Sequence, residues 1–321
     1  MRVLITGGAG FIGSTYARMI AKDELEGISS VTILDKLTYA GNMENLDGCL
    51  ADSRFEFIHG DICDKATIDA LINRHDVVIN FAAESHVDRS INSSEPFITT
   101  NIAGTAVILD AIRNNPSTRL VHIGTDEVYG SIDIGSWDEN FPLAPNSPYS
   151  ASKASADLLC MAFQRTFNLD ICITRCSNNY GPYQFPEKLI PLFITNLIEG
   201  KQVPLYGDGT NIREWIYVED HCRAIHLVVL NGRKGEIYNI GSTEEHTNVE
   251  IANLLLRNFD VGPERIKFVE DRLGHDQRYA INSTKIRNTL GFRESVDFTT
   301  GIDLTVAWYK NNQNWWKPLK V

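Results

Sequence analysis

The sequence predicts an α/β protein: a doubly wound parallel sheet with a smaller C-terminal substrate-binding domain. Three observations predict it. Continuous apolar runs alternate with helical patterns through the first half of the chain. A glycine-rich turn joins the first run to the first helix. After about residue 178 the texture changes to short elements rich in Pro, Gly and Tyr (NNYGPYQFPEK, PLYGDGTNIREW). Unbroken apolar strands are buried on both faces, the condition of a parallel sheet covered by helices.

Taken in order, Arg2–Thr6 (RVLIT) predicts the first strand and Phe11–Ala21 the helix after it. Val31–Asp35 (VTILD) and Phe55–His59 (FEFIH) predict the next two strands. Ala66–Arg74 predicts a helix, Val77–Ala82 (VVINFA) a strand and Pro96–Asn114 a long helix. Arg119–Gly124, Pro148–Phe167 and Ile171–Cys176 then predict a strand, a long helix and a strand. The expected division is a nucleotide-binding domain over 1–177, with later segments such as 207–232 returning to it, and a mainly substrate-binding domain over 178–321. In doubly wound proteins the ligand lies beyond the carboxyl ends of the strands. A C-terminal portion capping that edge is where a substrate would be recognised.

The 321 residues are 43% hydrophobic and 22% charged, an ordinary globular composition. A formal charge of −11 argues against a nucleic-acid surface, which needs Lys/Arg patches on phosphates. It leaves room for a phosphorylated small molecule held by a few local cations. No apolar run approaches the ~20 residues of a membrane span. The opening MRVLITGGAG is a strand and glycines, not a charged-then-apolar leader. The six cysteines (Cys49, Cys63, Cys160, Cys172, Cys176, Cys222) are scattered, without C-x-x-C or a histidine-rich partner motif. Reduced thiols, no metal site and a cytoplasmic location are expected.

Gly7-Gly8-Ala9-Gly10-Phe11-Ile12-Gly13 follows a strand and opens a helix, readable as G-x-x-G-x-x-G or as G-x-G-x-x-G from Gly8. Such glycines let backbone N–H groups approach a pyrophosphate at a helix N-terminus, the Rossmann arrangement. Asp35 ends the next strand 22 residues after Gly13. A carboxylate there bonds a ribose 2′-hydroxyl and repels a 2′-phosphate, so NAD is expected over NADP, with Lys36 weakening the preference. Asp61 and Ile62, after the third strand, are placed to flank an adenine ring.

GTDEVYG (Gly124–Gly130) sets Thr125, Asp126 and Glu127 side by side at the end of an apolar strand. Carboxylates at the rim of a core are costly unless paired, solvated or used. Tyr149 and Lys153 stand at i, i+4 on one helical face, 24 residues after Thr125. A phenol ionises near ~10, so lowering it to neutrality takes about 4 kcal/mol, which Lys153 and a positive nicotinamide can supply. Together these features resemble the extended short-chain dehydrogenase/reductase family. There the Tyr acts as base toward a substrate hydroxyl and a Ser or Thr bonds the same oxygen. That chemistry leaves Asp126 and Glu127 over. If a sugar hydroxyl at carbon 4 is oxidised, the carbon-5 hydrogen becomes acidic and the carbon-6 hydroxyl lies β to the ketone. Eliminating water then needs one base and one acid, which adjacent carboxyls supply because each pushes the other's pKa away. Neighbours in a strand face opposite ways, so the pair must lie just past the strand end.

DKLTYAGN, AAESHVDRSI, SPYSASKASADLL, RCSNNYGPYQFPEKLIPL, YGDGTNIREWIYVEDH and DRLGHDQRYAIN are similar to the sugar-nucleotide 4,6-dehydratases that act on dTDP-glucose, from the first strand to Trp316. The resemblance implies Asp126 as acid, Glu127 as base at carbon 5, Tyr149 as base at the carbon-4 hydroxyl, and Thr125 and Lys153 beside them. It implies NAD contacts from Gly7, Gly10, Phe11, Ile12, Gly13, Asp35, Lys36, Leu37, Thr38, Asp61, Ile62, Phe81, Ala82, Ala83, Ser85, Thr100, Tyr149, Lys153 and Asn179. It implies contacts to a dTDP-sugar from Ser85, Thr125, Asn178, Lys188, Leu189, Pro204, Tyr206, Arg213, Asn248, Arg272 and His275. Lys188, Arg213 and Arg272 suit a diphosphate, which Arg binds bidentately. His86 is expected to be a hydrogen-bonded structural residue. The cofactor should stay bound through each turnover, and a homodimer is implied through Pro96–Asn114 and Pro148–Phe167. Gly124 stands where the family has Ser, Leu273 where it has Pro and Gln277 where it has Arg. The rival readings are a UDP-sugar dehydratase, a 4-epimerase, which would not need the adjacent acids, and a silent NAD-binding regulator, which should lack Tyr149 or Lys153.

Overall fold

A computed structural model describes residues 1–320 of the chain. Seven parallel strands form the main sheet: β1 (Arg2–Thr6), β2 (Ser30–Asp35), β3 (Phe55–His59), β4 (Val77–Asn80), β5 (Arg119–Thr125), β6 (Ile171–Cys176) and β10 (Ile237–Ile240). Their spatial order is β10-β6-β5-β4-β1-β2-β3. Consecutive strands leave β1 in opposite directions, so the crevice between β1 and β4 is the topological switch point. Strands β1, β4 and β6 are buried almost throughout because helices cover both faces, which is why they read as unbroken apolar runs.

The remaining strands build a second unit. Strands β7 (Asn178–Tyr180), β9 (Ile212–Tyr217) and β11 (Glu245–Thr247) form one small sheet, and β8 (Val203–Tyr206) pairs with β12 (Ile266–Val269). They enclose a separate apolar core in which Tyr180, Phe193, Trp215, Ile302, Tyr309 and Trp316 pack together. The chain returns to the first unit through the helix Val218–Asn231 and strand β10, whose buried side chains pack with those of β1 and the helix Phe11–Ala21.

Three elements differ from expectation. Strand β4 stops at Asn80, and Phe81 to Ser85 continue without regular structure past the carboxyl edge of the sheet. The anticipated helix over 96–114 is π-helical from Ile98 to Gly104 before becoming α-helical over Thr105–Asn114. Inside that wider turn Asn101 donates to Glu84 O and Ser152 Oγ and accepts from Glu84 N, and such side-chain bonding holds the irregular winding. A short helix over Val87–Asn92, absent from the sequence reading, is capped by His86, whose Nδ1 accepts from Arg89 N at 3.4 Å.

Candidate active site

A cleft of about 310 Å³ runs along the carboxyl edge of β1, β4 and β5. At one end is the glycine turn. Gly7 has φ +69°, and a Cβ there would stand 2.5 Å from Ala82 N. Gly13 lies so near the turn that a Cβ would meet Gly7 O at 2.6 Å. Only glycine permits that backbone and that helix-to-strand spacing. Asp35 ties the turn down: Oδ2 accepts from Ala9 N at 2.9 Å and Oδ1 from Leu37 N at 2.8 Å. Lys36 forms an ion pair with Asp61 at 2.6 Å, so its charge is already matched.

Every expected cofactor residue but one lines this cleft, from Gly7 and Phe11 through Ser85 and Thr100 to Asn179. Leu37 is the exception. It takes a left-handed φ of 52°, donates its N–H to Asp35 and packs its side chain on the core. The left-handed turn aims its side chain inward, away from the cleft lining.

The acids sit at the other end. Strand β5 ends at Thr125 and a 3₁₀ turn over Asp126–Tyr129 follows, so both carboxyls leave the strand and enter the cleft. Thr125 caps that turn and its Oγ1 donates to Asp126 Oδ1 at 3.2 Å. Asp126 Oδ2 has no partner among the described residues. Burial, then the neighbouring Glu127 charge, pushes the Asp126 carboxyl up to about 8. Burial also raises Glu127, but Arg272, Arg213 and Lys188 oppose the rise. Of the two, Glu127 is therefore the one held toward its ionised form.

Tyr149 and Lys153 follow one turn apart on the long helix Pro148–Phe167. Burial, reinforced by Glu127, holds the phenol well above its ordinary value, and burial draws the Lys153 ammonium down. Lys153 Nζ donates to Ile123 O at 2.7 Å, which fixes it at the end of β5.

The expected substrate residues divide. Ser85, Thr125, Asn178 and Lys188 line the cleft. Lys188 Nζ donates to Ser85 O at 2.7 Å. Leu189, Pro204, Tyr206, Arg213, Asn248, Arg272 and His275 lie outside its lining, in the second unit. Several of these are linked: Tyr206 Oη donates to Asp88 at 3.3 Å, Arg272 stands 3.8 Å from Asp88, and the Tyr206 and His275 rings meet edge to face. The Arg213 guanidinium lies 4.3 Å over the Tyr279 ring and bonds backbone carbonyls of Ile212 and Asp276. His86 is held neutral by burial, its pKa pushed down to about 4, with Nε2 3.6 Å from Glu187. Tyr39, Gln184, Phe185 and Glu187 also line the cleft and were not anticipated, although DKLTYAGN and GPYQFPEK contain them.

A dinucleotide fits this cleft: the glycine cradle would be closed by any Cβ, and Ser177 Oγ, Asn178 Oδ1 and Gln184 Oε1 along its wall are buried polar atoms without partners among the described residues. Fold and site together define a nicotinamide-dependent enzyme of the extended short-chain dehydrogenase/reductase class.

Comparison with known proteins narrows the class. Residues 4–305 match the family model described as GDP-mannose 4,6 dehydratase. A dTDP-glucose 4,6-dehydratase of Actinoplanes sp. is 53% identical over 319 residues, covering 98% of this chain and 100% of that one. One from Streptomyces niveus is 54% identical, covering 100% and 96%. The crystal structure of DesIV, a dTDP-glucose 4,6-dehydratase from Streptomyces venezuelae with NAD and TYD bound, superposes with a TM-score of 0.98 at 51% identity over 100% of both chains. The chain belongs to the dTDP-glucose 4,6-dehydratase family.

Proposed function

We infer that the chain converts dTDP-glucose into dTDP-4-keto-6-deoxyglucose and water. The observation that carries this reading is the adjacent pair of a buried Asp126 and a half-buried Glu127 beside Thr125 and Tyr149 in one cleft. Oxidation and epimerisation at carbon 4 leave such a pair without work; elimination requires it.

We propose that the first unit holds the cofactor, through the glycine turn, Asp35, Asp61 and Ile62, Ala83, Ser85, Thr100 and Asn179. The second unit recognises the nucleotide and diphosphate with Arg213, Arg272, Tyr206, Asn248 and His275, and Lys188 stands between them. Bound NAD supplies the two-electron acceptor for carbon 4 and returns the same hydrogen to carbon 6. Tyr149 removes the proton of the carbon-4 hydroxyl while Thr125 holds that oxygen. Lys153, fixed on Ile123 O, keeps positive charge behind the phenol. Once carbon 4 is a ketone, Glu127 removes the carbon-5 proton. Asp126 gives its proton to the carbon-6 hydroxyl, which leaves as water. Glu127, whose proton exchanges with solvent, protonates carbon 5 as carbon 6 is reduced. The proton Tyr149 took from the carbon-4 hydroxyl is released to solvent while Asp126 takes one up, which resets all three groups. The 4-keto product carries one oxygen and two hydrogens fewer than the substrate.

A homodimer and a cytoplasmic location fit the same reading. Ile98, Leu158 and Phe167 are exposed apolar side chains on the two long helices, a surface suited to a second copy. No helix among the described residues is long and apolar enough to cross a membrane.

Mass spectrometry of dTDP-glucose turned over in heavy water tests the reaction. One water lost and one deuterium gained at carbon 5 is the expected result. An unchanged skeleton with inverted carbon 4 would refute it, as would turnover of UDP-glucose alone.

A further inference from the structure

Residues Tyr183 to Lys188 join β7 to the helix Leu189–Ile198, both of the second unit, and their side chains reach the first unit. Tyr183, Phe185 and Glu187, two residues apart, each engage a different element of the first unit. The Tyr183 ring covers the Arg18 guanidinium at 3.8 Å, while its other neighbours, Trp308 and Trp315, belong to the second core. Phe185 meets Tyr39 edge to face, with centroids 5.5 Å apart. Glu187 accepts from Arg89 at 3.2 Å, and the Arg89 guanidinium also lies 3.7 Å over the Tyr39 ring. Tyr39, Phe185 and Glu187 line the same cleft as the glycine turn and the paired acids; Arg89 is not part of its lining.

We propose that this segment is a strap retaining the cofactor, and that Arg89 is its clasp. One guanidinium joins the loop after β2, through Tyr39, to the strap, through Glu187, with the helix Val87–Asn92 as anchor. A molecule spanning the cleft is then enclosed by side chains from both units, and its release requires the Arg89–Tyr39–Glu187 contacts to part. Planar stacking and a charge pair on one side chain suit Arg and not Lys, which cannot lie flat on a ring. The chemistry gives the strap its use, because hydrogen taken from carbon 4 must return to the same molecule. This inference rests on the resident-NAD reading above.

The test measures NAD release directly. NAD-loaded protein is diluted into alcohol dehydrogenase and ethanol, so that each freed NAD is reduced and read at 340 nm. Slow release from the unaltered chain and about ten-fold faster release from Arg89→Ala are expected, with Arg89→Lys closer to the alanine variant. Dehydration by Arg89→Ala under saturating NAD should stay near that of the unaltered chain, since Arg89 does not line the cleft. Phe185→Ala should speed release independently of the ion pair. Equal release from all four proteins overturns the strap and leaves the cofactor reading standing. Release from the unaltered chain within the mixing time overturns both.

Discussion

Ser150 Oγ donates to Glu127 Oε2 at 3.1 Å, and Ser150 is the residue after Tyr149. Ser147 Oγ, which caps the long helix, lies 2.7 Å from Ser150 Oγ and accepts from its N–H. The helix start that presents the phenol therefore also holds the carboxylate proposed to act at carbon 5. Ser150→Ala should loosen the base and remove a bond that favours its charged form. The Glu127 pKa then rises, so the acidic limb of kcat should move to higher pH, with kcat down about ten-fold. A pH–rate profile checks both.

Glu127→Gln and Tyr149→Phe should separate the steps. The glutamine variant should keep carbon-4 oxidation, seen as 340 nm absorbance in a single turnover, and lose carbon-5 deuterium exchange by about 10²-fold or more. The phenylalanine variant should lose the absorbance itself. Full water loss by Glu127→Gln, or undiminished absorbance in Tyr149→Phe, would contradict the assigned roles.

In its proposed role as acid, Asp126 should set the alkaline limit of activity. With its pKa raised from 3.8 to about 8, it keeps its proton through neutrality and loses it as pH rises past 8. An acid is then no longer available, so kcat/KM for dehydration should fall with a midpoint near that value. Asp126→Asn should be slower throughout and lack that limb. The same shift makes the native state bind the extra proton between the two values, so this group's contribution to stability declines as pH rises across that window.

Beneath the site, Asp157 accepts from Arg175 Nε at 2.8 Å, both fully buried, and Arg175 donates to Tyr129 Oη at 2.7 Å. Asp157→Asn leaves a buried guanidinium without its counter-charge, and a loss of about 3–5 kcal/mol is expected in denaturant unfolding. A loss below about 1 kcal/mol would show that the network relaxes around the change.

Periodicity and glycine spacing carried the first unit because its information is local. Apolar runs bounded by turns define parallel strands, and Gly7 and Gly13 mark a turn whose close backbone packing leaves no room for a Cβ. Tyr149 and Lys153 were legible for the same reason, since four residues on a helix share a face. Adjacency in GTDEVYG was legible too, but the different ionisation of its two acids was not. That depends on burial of Asp126 and on Arg213, Arg272 and Lys188, which stand 61 to 145 residues from Glu127 in the chain. Leu37 turned inward and the helix over 96–114 widened into a π-turn because a left-handed backbone and the Asn101 bonds overrode the local pattern. The strap was hidden for a similar reason: Tyr39, Arg89 and Glu187 lie in three separate motifs, and only their approach makes a clasp. What the sequence by itself determined is the set of groups and their local geometry. Tertiary structure decided which charges face one another and how dry they are, because electrostatic energy depends on distance and solvent exposure, not on position along the chain.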